Sequence, residues 1–583
     1  MTVPGGHDPV SAAVPDPRHV FGAELGARVA GWRADDPDPV TQLALDGLVT
    51  RAADGDAGAR AELEDAFSGR LAFGTAGLRG ALGPGPNRMN RVVVGQAAAG
   101  LAAWLTDRLT DTAAADAGGP ARVVVGHDAR YNSAVFARDT AEILAGAGLH
   151  PLLVDHPTPT PVIAYGIRAL GCVAGVVVTA SHNPAQDNGY KVYLGDGSQI
   201  VPPVDAEIAA RIEVVAGRPL ADVPRGDATT TVGPELLDGY VTRLASLVPA
   251  DAPRELDWVY TPLHGVGARV VAAALAATGF REPTVVTAQE QPDPAFPTVA
   301  FPNPEEPGAL DLALAAAAEN GAELVVANDP DADRCAVAAP FGPDRTGWRV
   351  LSGDELGALL ADDALRRGVT GTYACSIVSS SLLARMAAAH GQPFVRTLTG
   401  FKWIGRVPGL AFGYEEAIGY CCDPSAVADK DGISALARVL TLAAGLRAEG
   451  RTLADRLAEI DDRYGVVRTT QLSLRTDDPA ALRTLMARLR TDPPTVLGGS
   501  PVRCVDLAGD SAAQGGPELP PTDGLLFTGG GITVVVRPSG TEPKLKSYLE
   551  VAADPAEGAG AAESVATRLE LLRGEVATLL GLG

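Results

Sequence analysis

The sequence predicts an α/β protein with three mixed α/β domains followed by a smaller α+β domain. Three observations predict this class. A chain of 583 residues is too long to be organised around one hydrophobic core. Apolar runs that read as buried strands end abruptly in small, polar and proline residues, and they alternate with helical patterns, as parallel α/β layers do. From Val466 onward that alternation lapses into strand, helix and then successive strands. The expected divisions are a disordered N-terminal extension over 1–40, α/β domains over 41–250, 251–370 and 371–465, and the α+β domain over 466–583.

Each element has its own reason. The first twenty residues are rich in Pro, Gly and Asp, a composition that cannot bury a core. A helical pattern rich in Ala and Leu runs from Leu43 to Phe67. Phe73-Gly74-Thr75-Ala76-Gly77-Leu78-Arg79-Gly80 is a glycine-punctuated loop carrying one arginine. A strand over Arg122 to Gly126 leads to His127-Asp128-Ala129-Arg130, a helix covers Ser133 to Ala147, and a strand over Val173 to Val178 leads to Thr179-Ala180-Ser181-His182-Asn183-Pro184. Asn183-Pro184 and Asn188-Gly189 are turn dipeptides, so Ser181 is expected on a tight loop and Lys191 on the returning segment. A serine at the carboxyl end of such a strand lies where open α/β sheets place ligands.

After a helix over Pro234 to Leu247 the pattern restarts. The strand Asp257 to Tyr260 ends at Thr261-Pro262-Leu263-His264-Gly265, and Leu324 to Ala327 ends at Asn328-Asp329-Pro330-Asp331-Ala332-Asp333-Arg334. A third restart near Tyr373 takes in Thr399-Gly400-Phe401-Lys402 and reaches Phe412-Gly413-Tyr414-Glu415-Glu416-Ala417. The last region reads as strands over Thr470 to Leu474, Val502 to Leu507, Leu525 to Phe527, Ile532 to Val536 and Lys546 to Val551, with helices over Pro479 to Leu489 and Ala561 to Leu580.

Composition excludes whole classes of function. Lys and Arg number 48 against 71 Asp and Glu, a formal charge of −23, which argues against nucleic acid or an anionic membrane as the main partner. Six scattered cysteines, at 172, 335, 375, 421, 422 and 504, show no C-x-x-C pair and fit thiols in a reducing compartment. Neither a signal-peptide pattern nor an apolar run of membrane-spanning length is visible, so the expectation is a cytoplasmic protein without a membrane partner, monomeric or a weak dimer.

Four stretches carry chemistry. Asp329, Asp331 and Asp333 set carboxylates at every second position on a loop leaving an apolar strand, a hard-oxygen set that suits Mg²⁺. An EF-hand fails here, because its sixth position is Arg334 and its twelfth Pro340. The other reading is a solvated acidic turn, and Arg334 alongside weakens it, since an anion-binding fork next to a metal loop suits phosphate. Arg537-Pro538-Ser539-Gly540-Thr541-Glu542-Pro543-Lys544 gathers a guanidinium, two hydroxyls and glycine-freed N–H groups, the makings of a phosphate cradle. Neither a nucleotide P-loop nor a complete dinucleotide fingerprint occurs. Glu415 and Glu416 pair carboxylates able to take vicinal hydroxyls, though such pairs are also common as exposed charge.

Together the serine, aspartate, glutamate and Arg-Pro-Ser stretches resemble the α-D-phosphohexomutase superfamily, whose phosphoserine, metal, sugar and phosphate loops stand in this order. The variants Phe-Gly-Thr-Ala-Gly-Leu-Arg-Gly and Glu-Glu-Ala-Ile-Gly-Tyr, with Asp429-Lys430-Asp431-Gly432, look most like its phosphoglucomutase-2/phosphopentomutase branch and bacterial phospho-sugar mutases. The resemblance implies four domains around a central cleft, the last one TATA-box-binding-protein-like. It implies an isomerase of the phosphoglucomutase/phosphomannomutase type acting on a small sugar phosphate. It also implies Mg²⁺ held by Asp329, Asp331, Asp333 and phosphorylated Ser181, with a sugar 1,6-bisphosphate as intermediate and activator. Ser181, Lys191, His264 and Arg79 match catalytic positions. His182, Arg130, Arg334, Lys402, Glu415, Glu416, Lys430, Arg537, Ser539, Gly540 and Thr541 match substrate-binding ones. Ala417 stands where the best-known glucomutases and mannomutases have Ser, so one hydroxyl contact is missing. A hexose 1-/6-phosphate is the expected substrate, with a pentose phosphate or bisphosphate synthesis as alternatives.

Overall fold

The valine-rich runs become the central strands, buried on both faces as a continuous apolar run requires. A computed structural model describes residues 14–75, 77–111, 119–342, 347–476, 478–539, 544–558 and 560–582. The chain forms two units. The first comprises 1–158, 169–195 and 199–233, and the second 159–168, 196–198 and 234–583.

In the first unit, Arg122–His127 lies between the parallel strands His150–Leu153 and Ala174–Val178. Asp187–Leu194 runs antiparallel to Ala174–Val178, Leu78–Ala81 pairs antiparallel with it, and Thr230–Thr231 closes the other edge. Helix Arg91–Asp111 supplies Val94, Ala97, Leu101 and Trp104 to a core shared with Val123, Val125, Val176 and Tyr190.

Over the described residues 14–40 the structure differs from the expected disorder. Within residues expected to be disordered, Pro17–Phe21, Ala23–Asp35 and the start of Pro39–Ala53 are helical, and Val29 packs with Leu45, Leu48, Leu63 and Phe67. Two Asp-Pro pairs here start helices. Asp16 and Asp38 accept from Arg18 N and Val40 N, both at 2.9 Å, with Pro17 and Pro39 at the first helical position. Residues 1–13 lie outside the described residues. The single helix expected over 43–67 is two, Pro39–Ala53 and Ala57–Ala66, parted at Gly55 (φ +94°) and restarted by the Asp56 cap. Asn188-Gly189 is no turn either, because both residues lie inside strand Asp187–Leu194.

The second unit holds three sheets of domain size. One orders Gly347–Val350, Cys335–Phe341, Leu324–Asn328, Trp258–Thr261 and Thr284–Val285. The next orders Phe394–Thr397, Thr372–Ser376, Leu410–Glu415 and Gly419–Cys421. Helix Gly353–Arg366, which a boundary at 370 leaves with the preceding domain, packs on this second sheet, with Tyr414 Oη donating to Asp354 at 2.9 Å and Tyr420 Oη to Gly353 O at 3.1 Å. The packing therefore sets the boundary ahead of Ser352. The antiparallel C-terminal sheet runs Val467–Arg475, Lys544–Ala552, Ile532–Pro538, Leu525–Gly529 and Arg503–Asp506. Helices Pro479–Thr491 and Ala561–Leu580 bury Met486, Val565, Leu572 and Val576 on one face of it. Its other face packs Val505, Val535 and Tyr548 against Ile377 and Val378. Among the described residues no helix is long and apolar enough to cross a membrane.

Candidate active site

The stretch bearing Ser181 lies in the first unit, and those bearing the three aspartates, Glu415 and Arg537 lie in the second. Seven described non-glycine residues have positive φ, and five of them sit on stretches marked by the sequence: Ser181 (53°), Leu263 (48°), His264 (59°), Ala332 (54°) and Ile418 (52°). A left-handed non-glycine residue costs about 1–3 kcal/mol and persists only where its surroundings fix it, which happens chiefly at functional sites.

Strand Ala174–Val178 is wholly buried and delivers Ser181 at its end. Ser181 N donates to Thr179 Oγ1 at 2.9 Å, and Ser181 Oγ lies 3.2 Å from His182 Nδ1. Arg130 braces the loop from beneath. Its guanidinium donates to Ser181 O at 2.7 Å, Asn183 O at 2.5 Å, Pro184 O at 2.8 Å and Asp187 O at 3.2 Å, and pairs with Asp128 at 3.3 Å. The side chain is 1 % exposed, and its two terminal nitrogens donate to the loop backbone. Arg79, on strand Leu78–Ala81, reaches Asn183 Oδ1 at 3.2 Å. Gly77 admits no side chain, since a Cβ there would lie 1.8 Å from Tyr190 O at φ +74°. Lys191 is buried on strand Asp187–Leu194, in register with Val177.

In the second unit Asp329, Asp331 and Asp333 are fully buried, with one oxygen of each within 4.8 Å of the others. Each carboxylate has an oxygen held by a different donor: Arg334 N on Asp329 at 3.0 Å, Thr160 Oγ1 on Asp331 at 2.7 Å and Lys430 Nζ on Asp333 at 3.2 Å. Three crowded hard-oxygen donors suit a small divalent cation. Lys430 also lies 3.4 Å from Asp429, so its ammonium balances charge on the acidic loop. Arg334 lies 3.9 Å from Asp329 and 3.8 Å from Asp333, and donates to Ala417 O, linking the metal loop to the sugar loop.

Glu415 Oε1 accepts from Gly400 N at 2.6 Å, which brings the sugar loop to the stretch bearing Lys402. Glu416 is held differently: Ser376 and Ser379 hydroxyls donate to Oε2 at 3.2 and 3.1 Å, and Glu416 N donates back to Ser379 Oγ at 3.1 Å. Its carboxyl is pushed up to about 7, first by burial, then by Glu415 and Asp354. Glu416 and Ala417 line a cavity of about 830 Å³ together with Glu305, Ser379, Lys546 and Tyr548. Sequence reasoning missed Ser376, Ser379, Glu305 and Lys546, because none stands in a recognisable pattern.

His264 lies in a doubly strained turn with Leu263 (φ 48°), and its Nε2 lies 2.8 Å from Thr298 Oγ1. Burial lowers its pKa, so at neutral pH the imidazole is uncharged and able to take a proton. Arg537 is the penultimate residue of strand Ile532–Pro538, in register with Lys546, and Ser539 N donates to Lys544 O at 2.8 Å. Gly540 and Thr541 lie outside the described residues.

A strained serine at a strand end, a buried triple carboxylate and a glutamate pair have chemistry suited to phosphoryl transfer on a sugar, and comparison with known proteins gives the class, an intramolecular phosphotransferase, an isomerase. Sequence models of phosphoglucomutase/phosphomannomutase match in order: α/β/α domain I over 70–216, domain II over 238–342, domain III over 352–464 and the C-terminal domain over 504–568. The chain belongs to the phosphoglucomutase/phosphomannomutase family. It is 46% identical over 472 residues to a protein of Haemophilus influenzae named "probable phosphomannomutase", covering 79% of this chain and 93% of that one. It is 34% identical to the phosphopentomutase of Homo sapiens (91% and 92% covered) and 32% identical to the human glucose 1,6-bisphosphate synthase (92% of each). A crystal structure of a phosphoglucomutase/phosphomannomutase family protein from Burkholderia thailandensis shares the fold, with TM-score 0.66 at 20% identity, covering 88% of this chain and 98% of that one.

Proposed function

We propose that the protein moves a phosphoryl group between the 1- and 6-positions of a hexose phosphate, glucose or mannose, through a phosphoserine and a sugar bisphosphate. Ser181 carries the reading: its backbone is held in a strained conformation at the end of a buried strand by the buried Arg130. Starting from phosphorylated Ser181, the distal hydroxyl of the sugar 1-phosphate attacks phosphorus. The bond from phosphorus to Ser181 Oγ breaks and a bisphosphate forms, with the hydroxyl proton passing to a neighbouring base. After the bisphosphate reorients, Ser181 Oγ attacks the phosphoryl group at position 1, the bond from that phosphorus to the sugar O1 breaks, O1 takes up the proton held by the base, and the sugar 6-phosphate leaves. Lys191 and His264 are the proposed proton carriers, His264 because burial keeps it neutral. Asp329, Asp331 and Asp333 would hold Mg²⁺, which neutralises charge on the transferring group when bound. Glu415 and Lys402 would take sugar hydroxyls, and Arg537 with Ser539 the phosphate that is not in transfer.

Ala417 favours a second reading. Without a hydroxyl at that position the loop asks less of a hexose, and a relative at 34% identity is a phosphopentomutase. Coupled assays on glucose, mannose, ribose and deoxyribose 1-phosphates, each with trace bisphosphate, decide between the readings. The largest kcat/KM is expected on a hexose, and a pentose preference would overturn the first reading. Accumulation of bisphosphate without isomerisation would replace both with a synthase. Ser181→Ala should abolish turnover on every sugar, and intact mass should show one phosphate on part of the wild type; near-normal turnover of the alanine variant would remove the phosphoserine mechanism.

A further inference from the structure

We infer that Thr160 is the positioning residue of the metal site, holding Asp331 in the orientation that a cation requires. The inference rests on the metal reading of the aspartate loop. Thr160 is completely buried, and it grips Asp331 at both ends. Its hydroxyl donates to Asp331 Oδ2 at 2.7 Å and its backbone N–H donates to Asp331 O at 3.0 Å. Thr160 also begins helix Thr160–Ala169, so its backbone is fixed by the first turn. The short segment 159–168 packs in the second unit although the chain on either side of it belongs to the first.

The three carboxylates are held by donors of different charge. Asp333 is held by the ammonium of Lys430 and Asp329 by the backbone N–H of Arg334, whose guanidinium lies 3.9 Å from Asp329 and 3.8 Å from Asp333. Asp331, the middle one, is held by a neutral hydroxyl. A hydroxyl fixes one carboxylate oxygen without bringing a positive charge of its own. Groups that orient a metal ligand in this way typically alter affinity by about 10–100-fold when removed.

The test is divalent-cation binding to chelator-treated protein, read by calorimetry with Mg²⁺ and by the free Mn²⁺ signal in electron paramagnetic resonance. Thr160→Val keeps the shape and removes the donor, and should weaken binding by about tenfold or more. Thr160→Ser keeps the donor and should stay within about threefold of wild type if the hydroxyl is the group that matters. If the valine variant folds poorly by near-ultraviolet circular dichroism, Thr160→Ala gives the same reading, because it retains the backbone bond to Asp331 O. Unchanged Mg²⁺ and Mn²⁺ affinity in the folded valine or alanine variant overturns this inference and leaves the metal reading intact. If the wild type binds neither ion more tightly than Asp331→Asn does, the metal reading itself fails and this inference with it.

Discussion

Arg130 shows how much one side chain settles. Its guanidinium holds four carbonyls of the serine loop, at Ser181, Asn183, Pro184 and Asp187, while Asp128 stabilises the buried charge. A planar fork with five donors spans such a set, and a lysine ammonium does not. Hydrogen bonds to a charged group contribute roughly 1.5–3 kcal/mol each where they are not replaced. Arg130→Lys should therefore loosen Ser181 more than it disturbs substrate binding. The expected outcome is a fall in kcat of about tenfold to a hundredfold, with KM for the sugar phosphate little changed and a smaller phosphorylated fraction by intact mass. A variant with raised KM and normal kcat would return Arg130 to substrate binding.

At the scale of elements, the strands were legible and several partners were not. Val123 to Val125, Val176 to Val178 and Leu324 to Val326 are buried on both faces, so unbroken apolar runs revealed them. Their polar endings marked Ser181 and the aspartates, and helix Ala561–Leu580 matched its expected span. The Pro and Asp content near the N-terminus misled because the same residues serve turns, disordered segments and helix caps. Asn188-Gly189 misled because its glycine answers a different need: a Cβ at Gly189 would lie 2.5 Å from Thr179 O on the neighbouring strand. Thr160 and Asp331, 171 positions apart, were joined by folding alone. The same holds for the serine clasp on Glu416, which yields a prediction for the sugar loop. Ser379 both donates to the Glu416 carboxylate and accepts from its backbone N–H. Losing both bonds, at about 1 kcal/mol each, should slacken the loop that carries Glu415. Ser379→Ala is expected to raise KM for the sugar phosphate about tenfold or more, while Ser181 is still phosphorylated by added bisphosphate. An unchanged KM would make the clasp irrelevant to the sugar.

For the whole molecule, a formal charge of −23 means that further acidic groups are buried only where a specific arrangement holds them. Two such groups titrate in the physiological range. Burial and the neighbouring Glu415 and Asp354 push the Glu416 carboxyl up to about 7, against the pull of Lys546. Burial, with Glu550 nearby, pushes Asp354 up to about 6, although Ser380 N, Thr469 and Tyr414 all donate to it. A raised carboxyl pKa means the folded state keeps a proton that the unfolded state has lost, so stability falls as pH rises through that window. For Glu416 the window runs from its ordinary 4.5 to about 7. His127 and His264 act in the opposite sense: burial lowers both, so falling pH protonates their unfolded forms first and destabilises the fold below 6.5. The raw pH curve therefore mixes opposing slopes, and the informative quantity is a difference between two proteins. Glu416→Gln cannot ionise and keeps an oxygen to accept from Ser376 and Ser379. Relative to wild type it should be more stable at pH 7.5 than at pH 5, by about 1–3 kcal/mol on the basis that each pKa unit is worth roughly 1.4 kcal/mol. Denaturant melts at both pH values measure this directly. A stability difference that stays constant between them would mean that Glu416 titrates like an ordinary surface glutamate and that its place in the cavity does not perturb it.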